Sequence, residues 1–262
     1  MGIERQIKKQ SRESLKNNFV SAVTSVFVLG GIVLVLYLLF QLTLLAFNVY
    51  DENLELNSDL LYVNLIYYAD VSVVILLAVF VSPVINGFYK LYYELAKNNN
   101  TELRYLFYFF LGTKRYFKAV VFNIITALLL IVNFTIWLIP YFAVDTIINF
   151  EILQGNFISV VSVVLYSAGV VGAVLTSVKY IISEFTFVDD ETKSFSHFFF
   201  KFGSKIGRKH FRDLVLLIFT FIPWFALCFF VLPGIYVIPY FTESIATSAM
   251  WLIKLHKDGQ EL

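Results

Sequence analysis

One carboxyl group in this sequence lies where an ionisable side chain is costly. Glu243 sits within an apolar stretch, in the run Tyr240-Phe241-Thr242-Glu243-Ser244. A carboxylate inside a membrane span costs on the order of a few kcal/mol unless it is protonated, paired or hydrated. Two interpretations stay open. Glu243 is either a protonated acid bonded to a hydroxyl of another helix, with Thr176 or Ser177 as partner, or a polar site for a proton, a cation or a polar ligand.

The other reactive side chains lack partners at a useful spacing. His197, His210 and His256 are far apart in the sequence, and no pair of them has metal-ligand spacing with a cysteine or carboxylate. Cys228 lies in an apolar run without a base in its helix, which predicts a packed thiol. We therefore expect no catalytic residues, no metal and no cofactor, and the sequence favours a protein that is not an enzyme.

The composition indicates whether the folded chain is surrounded by water or by lipid. Apolar residues make up 59% of the 262 residues and charged residues only 15%. A soluble domain of this size exposes too much surface to bury so many apolar side chains. The net charge of +1 gives no reason to expect a nucleic-acid partner. The composition predicts an all-α, polytopic membrane helix bundle in which 1–262 forms a single integral membrane domain.

Six apolar stretches are long enough to cross a bilayer, which takes about 20 residues. The predicted spans cover about 19–47, 71–89, 119–142, 157–182, 214–232 and 235–253. The last two are separated by Pro233-Gly234, which predicts a turn between them.

The basic residues predict the orientation of these spans. The N-terminal segment, the second and fourth connections and the C-terminal tail together hold all 20 Lys and Arg residues. The charges of the other connections are all acidic. Because Lys and Arg are enriched in cytoplasmic connections, the pattern predicts a multi-pass protein with both termini in the cytoplasm.

The fourth connection has the pattern of an amphipathic helix. The run 189–192, Asp-Asp-Glu-Thr, is typical of a helix start. Apolar and basic residues then recur on opposite faces, which predicts a helix over about 192–208 at the boundary between lipid headgroups and acyl chains. Its predicted membrane-surface contacts are Lys193, Phe195, Phe198, Phe199, Lys201, Phe202 and Arg208. Packing beneath the bundle is the alternative, and the two are compatible.

The second connection repeats this plan over about 101–112. Its predicted apolar face consists of Leu103, Leu106, Phe107 and Phe110. The tripeptide Gly112-Thr113-Lys114 corresponds to Gly203-Ser204-Lys205 in the fourth connection. Each copy reads as two spans followed by an amphipathic helix. We interpret this as a weak internal repeat of parallel orientation, with the last two spans added as a hairpin.

Several short motifs resemble a known family. They are the run 10–19 before the first span, Gly87-Phe88-Tyr89 with Leu95-Ala96-Lys97 after the second, the run 221–227 and Ile238-Pro239-Tyr240. Their order and spacing resemble the domain-of-unknown-function 975 family of bacterial six-span membrane proteins. The resemblance implies a bacterial cytoplasmic (inner) membrane protein and implies no reaction. The chain departs from the family pattern at Pro140, which is not followed by glycine.

Two function classes follow from these observations. The leading expectation is a non-enzymatic, lipid-associated scaffold or a subunit that binds a membrane-protein partner whose identity the sequence does not give. The alternative is a small transporter or permease component with Glu243 in its polar pathway. A dry, closed bundle around Glu243 would favour the scaffold, and a water-filled cavity reaching it would favour the transporter.

Overall fold

The computed structural model describes residues 3–46, 60–149, 156–228 and 231–258. These residues are helical almost throughout and contain no strand, which confirms the all-α prediction. The α-helices are α1 (Ile3–Ala46), α2 (Leu60–Asn98), α3 (Thr113–Asn149), α4 (Asn156–Ser177), α5 (Ile181–Asp189), α6 (Gly203–Lys209), α7 (Phe211–Phe219), α8 (Ile222–Leu227) and α9 (Val231–Lys257). Shorter turns of 3₁₀ helix cover Leu103–Phe110 and Val178–Tyr180, and a π-helical turn covers His197–Lys201.

Three helical stretches in the described part of the chain are long and apolar enough to cross a membrane. They are Glu4–Leu42, Thr113–Thr146 and Val160–Asp189. A fourth exists if His197–Lys209 and Phe211–Leu227, which are bent by 61° relative to each other, form one broken span. The helix that carries Glu243 is not in this set.

The hairpin predicted at the C-terminal end is wrong in two places. Pro233 and Gly234 do not form a turn, because both lie at the start of α9. Proline is tolerated there, since the first N–H groups of a helix have no intrahelical partner. The predicted span 214–232 is instead interrupted between α7 and α8. Pro223 explains this break, because its ring in a continuous helix would collide with the carbonyl of Phe219.

The chain divides into two compact units, Met1–Asn123 with Trp224–Met250 (unit 1) and Ile124–Pro223 with Trp251–Leu262 (unit 2).

In unit 1 the N-terminal segment is a helix of its own. Asn18 has non-helical dihedral angles (φ −126°, ψ 19°), which kink α1 and separate residues 3–17 from the apolar part. The Asn18 amide stabilises the kink by donating to the carbonyls of Ser14 (3.2 Å) and Asn99 (3.0 Å). The segment 3–17 buries one stripe and exposes Arg5, Lys9, Arg12 and Lys16, with Lys8 half-buried, so it is amphipathic.

The short helix Leu103–Phe110 packs on α2 and forms the centre of unit 1. Leu106 and Phe109 are fully buried, whereas Leu103, Phe107 and Phe110 are exposed. Of the predicted apolar face, Leu106 is therefore buried in the core, and the other three side chains are left exposed. A 3₁₀ helix has three residues per turn, so residues 106 and 109 share a face. The side chains of Leu91, Tyr92, Leu95, Ala119 and Phe122 are also fully buried in this unit.

Unit 2 is built around α5. Every residue from Ile182 to Val188 is buried, and Phe198, Phe199 and Ile206 pack with them in the core. The helix predicted over about 192–208 is found in two parts, because Phe202 (φ −122°, ψ −68°) separates the π-helical turn from α6.

Small residues bring α3 and α4 together in unit 2. A Cβ on Gly169 would lie 2.8 Å from the Trp137 carbonyl oxygen, and a Cβ on Gly172 would lie 2.4 Å from the Trp137 ring. These close approaches require glycine at both positions.

Candidate functional site

The candidate site is a buried polar cluster in unit 1 whose centre is Glu243. The face of α9 that carries it is unusually polar for a buried surface: Glu243, Ser244 and Thr247 are 0% exposed, and Ser248 is also buried. The intervening Ala246 and Ala249 are small and fully buried. Small side chains let neighbouring helices approach closely, so hydroxyl groups of other segments can reach the carboxyl group.

The Glu243 carboxyl group is only partly satisfied by its neighbours. Thr247, one turn further along α9, places its Oγ1 3.4 Å from Glu243 Oε1. This separation is longer than the 2.5–3.0 Å typical of hydroxyl–oxygen hydrogen bonds. The Ser14 hydroxyl also faces the carboxyl group. Glu243 Oε2 is buried and has no hydrogen-bond partner in the described part of the chain.

The N-terminal helix supplies two hydroxyl groups to this cluster. Ser11 Oγ lies 3.1 Å from Thr247 Oγ1 and 2.8 Å from the carbonyl oxygen of Ile7. Ser14 Oγ lies 3.2 Å from the Leu95 carbonyl oxygen and 3.1 Å from Asn99 Oδ1. Residues three apart share a helix face, so the segment 3–17 presents both serines to α9 and to the end of α2.

The remaining wall of the cluster comes from α1 and α2. Tyr92 is fully buried and donates its hydroxyl to the Ala22 carbonyl (3.1 Å). Ser25 donates to the same carbonyl at 2.7 Å. Glu243 is close enough to Tyr92 for the two groups to interact electrostatically. Arg12, on the exposed face of the N-terminal helix, hydrogen-bonds to the Tyr240 hydroxyl one turn before Glu243.

Sequence analysis found the carboxyl group but missed its surroundings. The basic segment 3–17 was interpreted only as a marker of orientation. The spacing of Ile7, Ser11, Ser14 and Leu15, all buried, is that of one helix face and was the available signal. The sequence analysis places Glu243 within a span. Its neighbours in the structure belong to segments whose basic residues predict a cytoplasmic position, namely 3–17 and the end of α2 between Lys90 and Lys97.

The predicted partners Thr176 and Ser177 belong to a different polar cluster, in unit 2. Thr176 donates to Asn133 Oδ1 at 3.0 Å, and the Asn133 amide lies 3.1 Å from Ser177 Oγ. The same amide donates to the Ala173 carbonyl at 2.9 Å. This network joins α3 to α4. The hydroxyl groups that face Glu243 are instead those of Ser14 and Thr247.

The predicted membrane-surface residues separate into two groups. Lys193, Lys201 and Arg208 are exposed, as an interfacial position requires. Phe195 and Phe202 are half-buried. Phe198 and Phe199 lie in the core of unit 2, where Phe198 stacks edge-on against Phe187 at 5.4 Å. The intervening Phe200 is 63% exposed and is the apolar side chain of this segment that is free to contact lipid.

Two histidines that are distant in sequence meet in unit 2. The ring centroids of His210 and His256 are 5.5 Å apart. His210 Nδ1 lies 3.5 Å from Asp213 Oδ2, and His256 Nδ1 lies 3.0 Å from the Leu252 carbonyl oxygen. The described residues contain no group of three or more His, Cys, Asp or Glu side chains able to hold a metal ion.

Comparison of the chain with models of protein families, with curated proteins and with solved structures gave no match. The resemblance to the domain-of-unknown-function 975 family therefore stays a prediction. The function has to be argued from the arrangement of the residues alone.

Proposed function

We propose that the chain is a non-enzymatic scaffold or partner-binding subunit of a bacterial cytoplasmic membrane. The observation that carries this proposal is the distribution of burial. In the most apolar 18-residue windows of Glu4–Leu42, Thr113–Thr146 and Val160–Asp189, only 6%, 17% and 11% of the residues are buried. Apolar helices with so little buried surface need lipid or other helices around them.

The cores of both units support the same proposal. Their buried side chains come largely from segments that the charge pattern assigns to the cytoplasmic side, such as 91–95 and 182–188. With six spans and cytoplasmic termini, unit 1 and unit 2 each have a packed cytoplasmic layer and apolar helices that leave it. In such a chain the packed core lies at the cytoplasmic surface, and the apolar helices are free to contact lipid or the helices of a partner.

The exposed surface of these layers suits an anionic membrane. Phe200 and Lys201 are adjacent and exposed in unit 2. In unit 1 the exposed Phe107, Phe110 and Leu111 are followed closely by basic residues of α3. Apolar side chains next to Lys and Arg are typical of interfacial helices, and each basic residue near an anionic leaflet contributes about 1 kcal/mol.

Retained lipids test the lipid-associated role. Native mass spectrometry of the purified protein should show bound anionic lipids, fewer of them in a variant with Lys193, Lys201 and Arg208 all changed to Gln. A variant with Arg5, Lys9 and Lys16 changed to Gln removes the same charge from the N-terminal helix and is the matched control. An equal loss of lipid in both variants contradicts a specific lipid surface on the fourth connection.

Photo-crosslinking tests the partner-binding role. A photo-reactive amino acid at Leu34 or Val163, both well exposed, should give a protein adduct of one defined mass in native membranes. Adducts with lipid alone would contradict partner binding and leave the lipid-associated scaffold.

Cysteine labelling tests the six-span topology. In a Cys228→Ala background, cysteines at Asn53 or Asn57 should react with an impermeant reagent added outside. A cysteine at the exposed Glu102 should react only after permeabilisation. Labelling of Asn53→Cys from the cytoplasm alone would overturn this topology and the orientation of both termini.

A transporter or permease component is the second candidate function, favoured by Glu243 Oε2, which has no hydrogen-bond partner among the residues that the structure describes. A buried acid with an unsatisfied oxygen is costly to keep and is typical of ion and proton pathways. In proteoliposomes, Glu243→Gln should then abolish ion flux without lowering the amount of reconstituted protein. Flux that is equal in wild type and variant would remove this candidate.

A further inference from the structure

We propose that the buried cluster of unit 1 is a binding site for a monovalent cation, with Na⁺ as the ion of matching size. The ligands would be the Glu243 carboxylate and the hydroxyl oxygens of Ser14 and Thr247, with Ser11 next to them. This inference deepens the second candidate function above, because it names the ion. It concerns binding and does not require that the ion crosses the membrane.

The donor set is the first argument. The oxygen atoms that meet here come from one carboxyl group and three aliphatic hydroxyls, contributed by α9 and the N-terminal helix. Hard cations bind carboxylate, hydroxyl and carbonyl oxygens, whereas softer transition metals select imidazole and thiolate. Nearby Asn99 Oδ1 and the Leu95 carbonyl oxygen, both in contact with Ser14 Oγ, extend the oxygen-rich surface.

Charge balance is the second argument. Glu243 is 0% exposed, and the partners that face its carboxyl group are neutral hydroxyls. A buried carboxyl group has to be neutralised, either by a proton or by a bound cation. One monovalent cation brings the net charge of the cluster to zero, whereas a divalent ion would leave an uncompensated positive charge in the same buried volume.

The spacing of the oxygens is the third argument. Oxygens of one octahedral site, bound at about 2.4 Å to a cation the size of Na⁺ or Ca²⁺, lie about 3.4 Å from their neighbours. Glu243 Oε1 and Thr247 Oγ1 are 3.4 Å apart, which is long for a hydrogen bond and matches this edge. Mg²⁺, with bonds of about 2.1 Å, would draw the same oxygens to about 3.0 Å.

Thermal unfolding under controlled salt tests the site with Na⁺ alone as the probe. The purified full chain is titrated with NaCl that replaces choline chloride at constant ionic strength, and unfolding is followed by tryptophan fluorescence. Trp224 is a suitable reporter because its ring is 6.4 Å from that of Tyr240 in the same unit. A ligand that binds only the folded state raises the Tm with its concentration. The wild type should therefore show a Na⁺-dependent rise in Tm, with a smaller rise in KCl.

Two variants and one control decide the assignment. Glu243→Gln should abolish the Na⁺-dependent rise in Tm. Thr247→Val, which keeps the side-chain shape, should raise the apparent Kd for Na⁺ by at least about tenfold. Glu184→Gln is the matched control. Glu184 is also a buried acid whose Oε2 has no hydrogen-bond partner in the described ranges, but it lies in unit 2. This control should keep the full response.

Three results would overturn the site. They are a Tm that does not respond to Na⁺ in the wild type, a response that Thr247→Val retains unchanged, and a Tm that responds to pH but not to Na⁺. Because Thr247→Val keeps Glu243 in place, it decides the question even if Glu243→Gln fails to fold. Na⁺ flux in proteoliposomes separates this proposal from the transporter candidate, since Na⁺ binding without flux supports the site and removes only transport.

Discussion

In unit 1 the short helix Leu103–Phe110 packs on α2, and in unit 2 α6 packs on the segment Val178–Tyr180 and on α5. Both contacts depend on a glycine, but the glycine lies on opposite partners. In unit 1 it is Gly87 of the long helix, where a Cβ would lie 1.9 Å from the Leu106 carbonyl oxygen. In unit 2 it is Gly207 of the short helix, where a Cβ would lie 2.2 Å from the Lys179 carbonyl oxygen.

This difference shows that the two connections reach similar packing through different residues. The tripeptides that suggested a repeat do not correspond in structure. Gly112 has nothing within 4 Å of its would-be Cβ, whereas a Cβ on Gly203 would lie 2.5 Å from the Phe198 carbonyl oxygen. Both units therefore pack a short helix on a neighbouring helical segment, but the two tripeptides do not predict this packing.

The two units also differ in the groups that surround their acidic side chains. Glu94 of unit 1 forms an ion pair with Lys90 at 3.0 Å and accepts from the Asn98 amide at 2.7 Å. Glu184 of unit 2 is buried next to the Thr126 hydroxyl, and its Oε2 has no hydrogen-bond partner in the described residues. The first acid is compensated by a cation, and the second relies on a hydroxyl.

The largest expected effect comes from Gly87→Ala. The added methyl group would overlap the Leu106 backbone, which cannot move without shifting the buried Leu106 and Phe109. We expect the free energy of unfolding to fall by at least about 3 kcal/mol. Denaturant unfolding in mild detergent measures it. Gly112→Ala is the matched control and should change stability by less than about 0.5 kcal/mol. Equal effects would contradict the close approach at Gly87.

Gly207→Ala should also destabilise the protein, through unit 2, and lower the free energy of unfolding by about 2–3 kcal/mol. The contact with the Lys179 backbone is slightly longer than that at Gly87, so we expect the smaller loss. Limited proteolysis can locate the effect, because cleavage between α5 and α6 should increase. A stable, protease-resistant variant would show that α6 does not need the close approach.

Replacing the acids should distinguish the compensated from the uncompensated carboxyl group. Glu94→Gln removes the ion pair with the mostly buried Lys90, whose ammonium group also lies 5.3 Å from the centre of the Tyr108 ring, so we expect a loss of about 2 kcal/mol. Glu184→Gln removes an acid that no described cation compensates, so stability should stay within about 0.5 kcal/mol or rise. Thermal unfolding of the two variants side by side checks this. A larger loss at Glu184 would reverse the comparison.

The smallest effect concerns Asp190 in the turn after α5. The Thr192 hydroxyl and, to a lesser extent, the Thr192 backbone N–H and Lys193 hold the pKa of Asp190 below its usual value. A lowered folded-state pKa stabilises the protein above the unfolded-state pKa, which is about 3.9, and this contribution disappears as the pH falls through the folded-state pKa. Asp190→Asn should therefore have a slightly lower Tm than wild type at neutral pH.

That difference in Tm should shrink below about pH 4. Thr192→Ala, which removes the main partner, should behave like Asp190→Asn. A constant difference across the pH range would mean that the ionisation of Asp190 does not contribute.

The helical class and the long apolar segments could be predicted because composition and length determine them. Local details could not, because they depend on tertiary contacts. The buried face of Leu103–Phe110 could not be predicted, because the segment winds with three residues per turn and a pattern with a period of 3.6 residues does not show this. Pro233 was interpreted as a turn because a sequence pattern does not distinguish a helix start from a chain reversal.

The candidate site illustrates the same limit. The cost of burying Glu243 was readable from its apolar context. Of the hydroxyl groups that face it, Thr247 is one turn away, but Ser14 lies at the other end of the chain, as does Ser11, which bonds to Thr247. No local pattern links such distant positions. The same is true of His210 and His256, which meet only because the end of α9 packs in unit 2.

Unit 1 contains two segments that are far apart in the sequence, so one of them is synthesised well before the other. The N-terminal helix leaves the ribosome before α9, because Thr247, which bonds to Ser11, is made 236 residues later. At about 5–20 residues per second this takes roughly 10–50 seconds. Until then the serine-bearing face of the N-terminal helix lacks its partner on α9. Unit 1, although it begins first, can therefore be completed only after unit 2 has been largely synthesised, and a chain that stops before α9 would leave that helix without its partner.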